Sequence, residues 1–428
     1  MEELRVFGPN EIRISYSNYC EFECPHCQRG NSRQGKDRLS REQLTKLIEE
    51  AKGIGIETVA VVGPEIFYDI DTLEHIIKAS TENGLVVNHL VTNGFFGEDI
   101  GTARAYFERI RDAGFSPAIK TKTKPGSAGD AEPKEAETLG NGELCISIDR
   151  FHKVDASAIA NTIIAYWDAF NPLIDGQFLV PVHILNVQLA DQYKKRKLFG
   201  DPQVQKVIGK LKSKTSLSID EGSGRFQSEY GYGMVNHVYA LRRGRAEQFP
   251  EKRFHSFQYT STNLEMVCTE FFEGFNRGVN LVAQLRFRKQ YNRISIAPTG
   301  DAYACCMYAK PLCGGNIKDK PLNEIVDALD QNPLLVLLAH EGVGSLVTLA
   351  LLSHGIPVSD LDKYTVKGQP CSVCLERIEG QEEMYMEIAT FMKEKGVIDQ
   401  LRREIGEDRS SPKRRVYSLP RYPAKQIS

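Results

Sequence analysis

The chain has 428 residues, 41% hydrophobic and 26% charged, the profile of a globular protein with room for two or more domains. A formal net charge of −2 leaves no global basic field to attract nucleic acid, and the runs Lys194-Lys195-Arg196-Lys197 and Lys413-Arg414-Arg415 read as a solvated face and a tail. The acidic N-terminus lacks a signal-peptide pattern, and the most apolar region, Asn332 to Gly355, is broken by His340, Glu341 and glycines; no membrane span and a cytoplasmic location are expected.

Along the chain, Ile12, Ile14 and Tyr16 alternate as in a half-buried strand. This strand leads into Cys20, Cys24 and Cys27. Ser40, with Gln43 three residues on, is a capping-box start. Leu44, Leu47, Ile48 and Ala51 follow at helical spacing, and Gly53 ends the run. "ETVAVVG" reads as a strand buried on both faces. A helix opened by Asp71 and running to about Ser80, a third strand in "GLVVNHLVTNG" and a helix near 99–113 come next. A fourth strand in "LCISID", a helix over "SAIANTIIAYWDAF" and a fifth strand in "GQFLVPVHIL" follow. Repeated βα units imply a parallel sheet, open or curved into a barrel, whose ligands bind at the C-terminal strand ends. Cys20, Glu65, Asn93 and Asp149 each fall just after a strand and should share one rim.

The Lys/Gly/Pro/Glu-rich stretch at about 120–142 interrupts the alternation and reads as a mobile surface insertion. Beyond about 255 the character changes. "RISIAPTGDAYACC" is two short strands about a Thr-Gly turn, helices follow, and 402–428 is a polar, Pro-containing tail. The expected division is 1–255, 256–390 and 391–428.

The ten cysteines are clustered, which favours metal or redox chemistry over disulfides. A structural zinc site would need a fourth ligand, and His26 lies inside the knuckle, badly placed to join Cys24 and Cys27. Three thiolates suit a four-iron cluster with one iron open to a small molecule. The Cys20/Cys24/Cys27 spacing after a first strand resembles that of the radical S-adenosylmethionine (SAM) enzymes.

That resemblance implies an α/β fold: a partial (βα)6 TIM-like barrel followed by a small α+β twitch/SPASM-like cluster domain. It implies SAM as fourth ligand to a [4Fe-4S] cluster held by Cys20, Cys24 and Cys27. "VGPEIFY" looks like the family's GGEP segment, which holds the SAM amino group; Gly63 and Glu65 match, whereas Pro64 and Ile66 depart from it. "VTNG", with Asn93, resembles the usual end of the third strand. Ser147 and Asp149 match positions that bind the SAM carboxylate and ribose. His26 stands where relatives place an aromatic beside the adenine. For Asp149 a turn or helix-cap role, and for His26 a solvated knuckle role, are the alternatives.

"LRRGRAEQF" resembles the segment that ends the barrel in many relatives. Cys268, the "PTGDAYAC" cysteine Cys305, and Cys371 and Cys374 in "QPCSVC" look like the auxiliary ligands of a twitch domain. No cysteine follows Cys374, which matches the short form with one auxiliary [4Fe-4S] cluster. Cys306 or Cys313 could replace Cys268, or serve as a hydrogen-donating thiol. A structural zinc site is the alternative for this set, and mid-strand Cys145 reads as an inert core thiol.

The resemblance implies an oxidoreductase of dehydrogenase type, with a reducing partner such as flavodoxin or ferredoxin. With few residues ahead of the first strand no peptide-clamping domain is expected, and a small polar metabolite of natural-product biosynthesis is the expected substrate. His152 is the preferred substrate contact; His183, Asp220, Glu221, Tyr230 and Arg286 are further cavity candidates. A peptide maturase, a redox-neutral epimerase and a non-enzymatic iron–sulfur or zinc scaffold are the other readings.

Overall fold

The computed structural model describes residues 7–27, 29–121, 138–139, 142–170, 178–188, 199–239, 248, 257–259, 291–305, 308–341, 366–368 and isolated positions between 387 and 396. The chain divides into two compact units, Glu11–Phe254 and a second made of Met1–Asn10 with His255–Ser428.

The larger unit is built on parallel strands. β1 (Phe7–Ile14), β2 (Thr58–Val61), β3 (Val86–Thr92), β6 (Glu143–Ser147), β7 (Phe178–Gln188) and β10 (Gly231–Tyr239) lie side by side in that order. Each adjacent pair is parallel. This is the strand series of a partial (βα)6 barrel. Short antiparallel strands β8 (Ser218–Asp220) and β9 (Arg225–Gln227) continue the sheet from β10. The pair β4 (Ile119–Thr121) and β5 (Thr138–Leu139) pack beside β7. The insertion expected at about 120–142 lies mostly outside the described residues.

The helices form for local reasons visible in the sequence. α1 (Arg41–Gly53) starts on a complete Ser40/Gln43 capping box, worth about 1 kcal/mol, and buries Leu44, Leu47, Ile48 and Ala51. α2 (Ile70–Glu82) is capped by Asp69, whose carboxylate accepts the Thr72 N–H, and not by Asp71. Asp71 instead pairs with Arg109. α3 (Ile100–Asp112) is capped by Asp99. α4 (Ala156–Phe170) carries an almost wholly buried surface, including Tyr166, Trp167 and Phe170. α5 (Pro202–Lys212) begins with Asp201 as cap and a proline in its first turn. An aromatic seam of Phe67, Phe96, Phe107, Tyr166 and Phe170 joins the turns after β2 and β3 to α3 and α4.

In the smaller unit, β12 (Tyr291–Ile296) and β13 (Asp301–Tyr303) form the hairpin expected about Thr299-Gly300. β14 (Cys313–Asn316) pairs with β13 and is followed by α6 (Leu322–Asp330) and α7 (Pro333–Glu341). A two-stranded piece pairs β11 (Phe257–Tyr259) with β15 (Val366–Gly368). Among the described residues no helix is long and apolar enough to cross a membrane.

Candidate functional site

The three cysteines sit on a loop closed at its stem. Leu39 N–H donates to Tyr16 O at 2.9 Å, Asn18 N–H to Asp37 O at 3.2 Å, and Cys20 N–H to Ser32 O at 3.0 Å. Gly35 lies against the Asn18 carbonyl, where a side chain would strike backbone. Cys27 N–H returns to Cys24 O at 3.0 Å, forming the knuckle. Glu23 adopts φ +43°, a left-handed conformation rare for a residue with a side chain, so the loop is locally strained where it curls between Cys20 and Cys24. Cys20 and Cys24 are buried and Cys27 half-buried. Burial pushes the Cys20 thiol up, while the Phe22 and Glu23 backbone N–H groups pull it back by favouring the thiolate.

This donor set fits an iron–sulfur cluster better than one zinc ion. Tetrahedral zinc with Zn–S of about 2.3 Å holds its sulfurs about 3.8 Å apart. Among the described residues, the ligand trios whose atoms all lie within 4.8 Å of one another do not include the three cysteines. A cluster that spreads them over three irons suits the wider spacing, and amide donors to a buried sulfur suit a cluster thiolate. An aromatic wall flanks the loop: Tyr68 meets Phe95 at 4.4 Å and Tyr19 at 5.5 Å, and Phe22 meets Phe95 at 5.9 Å between ring centres.

Glu65 follows β2, as expected, but it is a buried tie-point as well as a rim residue. Its Oε1 accepts the Phe67 N–H at 3.0 Å and the Thr92 hydroxyl at 2.7 Å; its Oε2 accepts the Asn93 N–H at 2.7 Å. Tyr16 OH donates to Ile66 O at 2.6 Å, fixing the same turn to the end of β1. Burial outweighs the three donors and pushes the Glu65 carboxyl up to about 7. Through Thr92 and Asn93 it ties the turn after β2 to the end of β3. Gly63 packs toward Ser15, where a Cβ would lie 3.2 Å from the hydroxyl. Asn93 is buried and its side-chain oxygen accepts the Phe95 N–H at 2.9 Å.

Ser147 ends β6, half-buried. Asp149, fully buried, accepts the Phe151 N–H through Oδ1 at 2.8 Å. Its Oδ2 lies 3.2 Å from His26 Nε2 and 3.0 Å from His152 Nδ1, and both ring nitrogens sit off the hydrogen-bonding direction. Burial alone would raise the Asp149 carboxyl; His152 and then His26 overcome it and hold the group below the carboxylate range. The His26 ring also stands 5.1 Å from that of His152 and 5.2 Å from Phe151. His26 is thus buried and attached to the end of β6, which a solvated knuckle residue would not be. Its Nδ1 is buried without a hydrogen-bond partner, a polar atom available to a ligand. The shared rim is legible from the strand ends and the Asp149–His152 pair is local, but the His26–Asp149 contact joins the first and fourth strand ends and has no local signal.

Of the further cavity candidates, His183 lies on β7, Asp220 ties the β8–β9 turn through Ser223, and Glu221 and Tyr230 lie in turns; Arg286 is outside the described residues. In the smaller unit Cys305 is buried just beyond β13, and Cys313 opens β14 with its thiol 3.7 Å from Gly315 O. Cys268, Cys306, Cys371 and Cys374 lie outside the described residues, as does "GRA".

Residues 14–121 match the model of the Radical SAM superfamily, and residues 288–334 match that of SPASM, an iron-sulfur cluster-binding domain. Over 117 residues the chain is 26% identical to GTP 3',8-cyclase of Alkaliphilus oremlandii (strain OhILAs), covering 27% of this chain and 35% of the cyclase. Streptococcus suis SuiB bound to precursor peptide SuiA is 13% identical over 77% of this chain and 66% of SuiB, with a TM-score of 0.43. The protein anSMEcpe with bound AdoMet is 12% identical over 76% and 83%, with a TM-score of 0.41.

Proposed function

We propose that this chain, which carries a radical SAM domain followed by a SPASM iron–sulfur domain, takes a hydrogen atom from a small polar metabolite and oxidises it, with the auxiliary cluster as electron acceptor. The two domains bring SAM, a SAM-binding [4Fe-4S] cluster and an auxiliary iron–sulfur cluster as cofactors. When bound, SAM and its cluster would supply a 5'-deoxyadenosyl radical, with the electron delivered by a partner such as flavodoxin or ferredoxin; the substrate radical would then release a proton to solvent as its electron passes to the auxiliary cluster.

The observation that carries the reading is the meeting of strand ends: Glu65 after β2 bonds Thr92 and Asn93 at the end of β3, and His26 of the cysteine loop after β1 lies against Asp149, beside His152, after β6. On this reading Cys20, Cys24 and Cys27 hold three irons. Glu65, already fixed by three donors, turns its remaining acceptor capacity to the SAM ammonium, with Gly63 keeping the approach open. Asn93 holds the β3 turn in shape, and Ser147 and Asp149 receive the carboxylate and ribose of SAM. His26 lines the adenine side and His152 faces the substrate. Cys268, Cys305, Cys371 and Cys374 bind the auxiliary cluster, with Cys306 and Cys313 as the neighbouring thiols.

Asp149→Ala should weaken SAM binding about tenfold, the loss of one charge-assisted hydrogen bond, and leave iron content unchanged. Titration of the reconstituted protein with SAM reads this; unchanged affinity would assign Asp149 to its turn alone. The oxidation is tested by product mass. A product lighter by two hydrogens, with one SAM consumed per turnover, is expected. A product of unchanged mass that gains deuterium from D₂O, and fails to in Cys306→Ala or Cys313→Ala, would replace oxidation by epimerisation.

A further inference from the structure

Sequence pattern makes Cys145 an inert core thiol, but the strand register gives it unusual neighbours. On β3 and β6, His89 stands opposite Glu143 and Val91 opposite Cys145; on β6 and β7, Cys145 stands opposite His183. Alternation along β6 sends Leu144 and Ile146 to one face and Glu143 and Cys145 to the other. Ile146 approaches the α4 side, so Glu143 and Cys145 belong to the inner face of the barrel sheet. Such interiors are ordinarily filled by layers of Val, Ile and Leu. Here they hold an imidazole, a carboxylate and a thiol.

His89 Nδ1 lies 3.7 Å from Cys145 Sγ, and one ligand atom from each of His89, Glu143 and Cys145 falls within 4.8 Å of the others. His183 Nε2 is 3.8 Å from Glu143 Oε1. We propose that these strands carry a separate Zn²⁺ site, with His89, Glu143 and Cys145 as ligands and His183 beside the fourth position. Tetrahedral zinc, with Zn–S of about 2.3 Å and Zn–N of about 2.0–2.1 Å, sets its sulfur and nitrogen donors about 3.6 Å apart. The His89–Cys145 separation is close to that spacing before any metal enters. The donor set also selects the metal: a thiolate disfavours Mg²⁺ and Ca²⁺, and one sulfur among nitrogen and oxygen suits zinc.

A second layer is in place. The Asn236 amide lies 3.1 Å from His183 Nδ1. The two ends of an amide are interchangeable in such an assignment. With its carbonyl toward the ring, Asn236 accepts the Nδ1 proton and leaves the Nε2 lone pair directed to the site, as partners of zinc-facing histidines do. Glu143 is half-buried. The site draws on His89 and Cys145 within β3 and β6 and on Glu143 at the start of β6, and uses no residue of the cysteine loop, so it does not depend on the radical SAM reading.

The test uses the full chain with both iron–sulfur sites reconstituted anaerobically. It is incubated with ZnCl₂, desalted, and analysed for zinc, iron and sulfide and by X-ray absorption at the zinc edge. About one zinc per chain is expected, with one sulfur and three nitrogen or oxygen neighbours. Cys145→Ser and His89→Ala should each weaken zinc retention at least about tenfold without changing iron or sulfide. Should Cys145→Ser fail to fold by circular dichroism, His89→Ala at a half-buried position decides. No retained zinc, retention unaffected by His89→Ala, or a zinc shell with two or more sulfurs would overturn the proposal.

Discussion

Cys24→Ala should remove about half of the iron and abolish cleavage of SAM. Two four-iron clusters hold roughly eight irons per chain, and the cysteine-loop cluster accounts for roughly four of them. Cys24 is buried, and its carbonyl accepts the Cys27 N–H that shapes the knuckle. With Cys20, Cys24 and Cys27 each holding one iron on this reading, removing the Cys24 thiolate would leave one iron without a protein ligand. The backbone ties at Tyr16, Asn18 and Cys20 are independent of the Cys24 side chain, so the loop itself should survive. Circular dichroism close to that of the parent, with iron and acid-labile sulfide both halved, is the expected combination. Cys20→Ala and Cys27→Ala should behave alike. Full iron retention in Cys24→Ala would remove the cysteine loop from the cluster.

Glu65→Ala carries the second large effect, and it reads on stability as well as on SAM. Truncation leaves the N–H groups of Phe67 and Asn93 and the Thr92 hydroxyl without their acceptor in a buried place. At about 1–3 kcal/mol for each buried donor left unpaired, offset by no longer burying a carboxylate, a net loss of about 3 kcal/mol is expected. Glu65→Gln keeps one oxygen acceptor and turns an amide N–H toward another donor, so it should cost less. The pH dependence has a definite sign. The folded carboxyl titrates at about 7, above its unfolded value of about 4.3. Between those values the folded chain binds more protons, so the contribution of Glu65 to stability is complete below about pH 4.3 and is lost as pH rises through 7. SAM affinity should run the other way, rising with pH through about 7 as the carboxylate becomes available to the ammonium. Denaturant unfolding and SAM titration at pH 6 and pH 8 read the two slopes. Persistence of both slopes in Glu65→Gln would assign them to another group.

Particular residues show what was legible. The Ser40/Gln43 box and the spacing of Leu44, Leu47, Ile48 and Ala51 encode α1 locally, and the structure has it. The cap of α2 fell to Asp69 over Asp71 because both acids precede the apolar run and only tertiary contacts, here Arg109, separate their roles. β10 is not legible as a strand because Gly231 and Gly233 erase its apolar alternation. Trp167 and Phe226 occupy the space their side chains would fill. At the site, the cysteine spacing and the strand-end position of Glu65 are local signals. The Asp149–His152 contact spans three residues and is local, whereas the contact of Asp149 with His26 and the approach of Cys145 to His89 depend on strand order and register, which no local pattern states.

The central claim is that the Cys20/Cys24/Cys27 loop holds the cluster on which SAM is cleaved. The measurement is anaerobic incubation of the reconstituted chain with SAM and a one-electron reductant, with 5'-deoxyadenosine and methionine quantified against time. Equal amounts of the two products, absent without reductant and absent in Cys24→Ala, are expected. Intact SAM after incubation of a chain that holds zinc without sulfide would contradict the account.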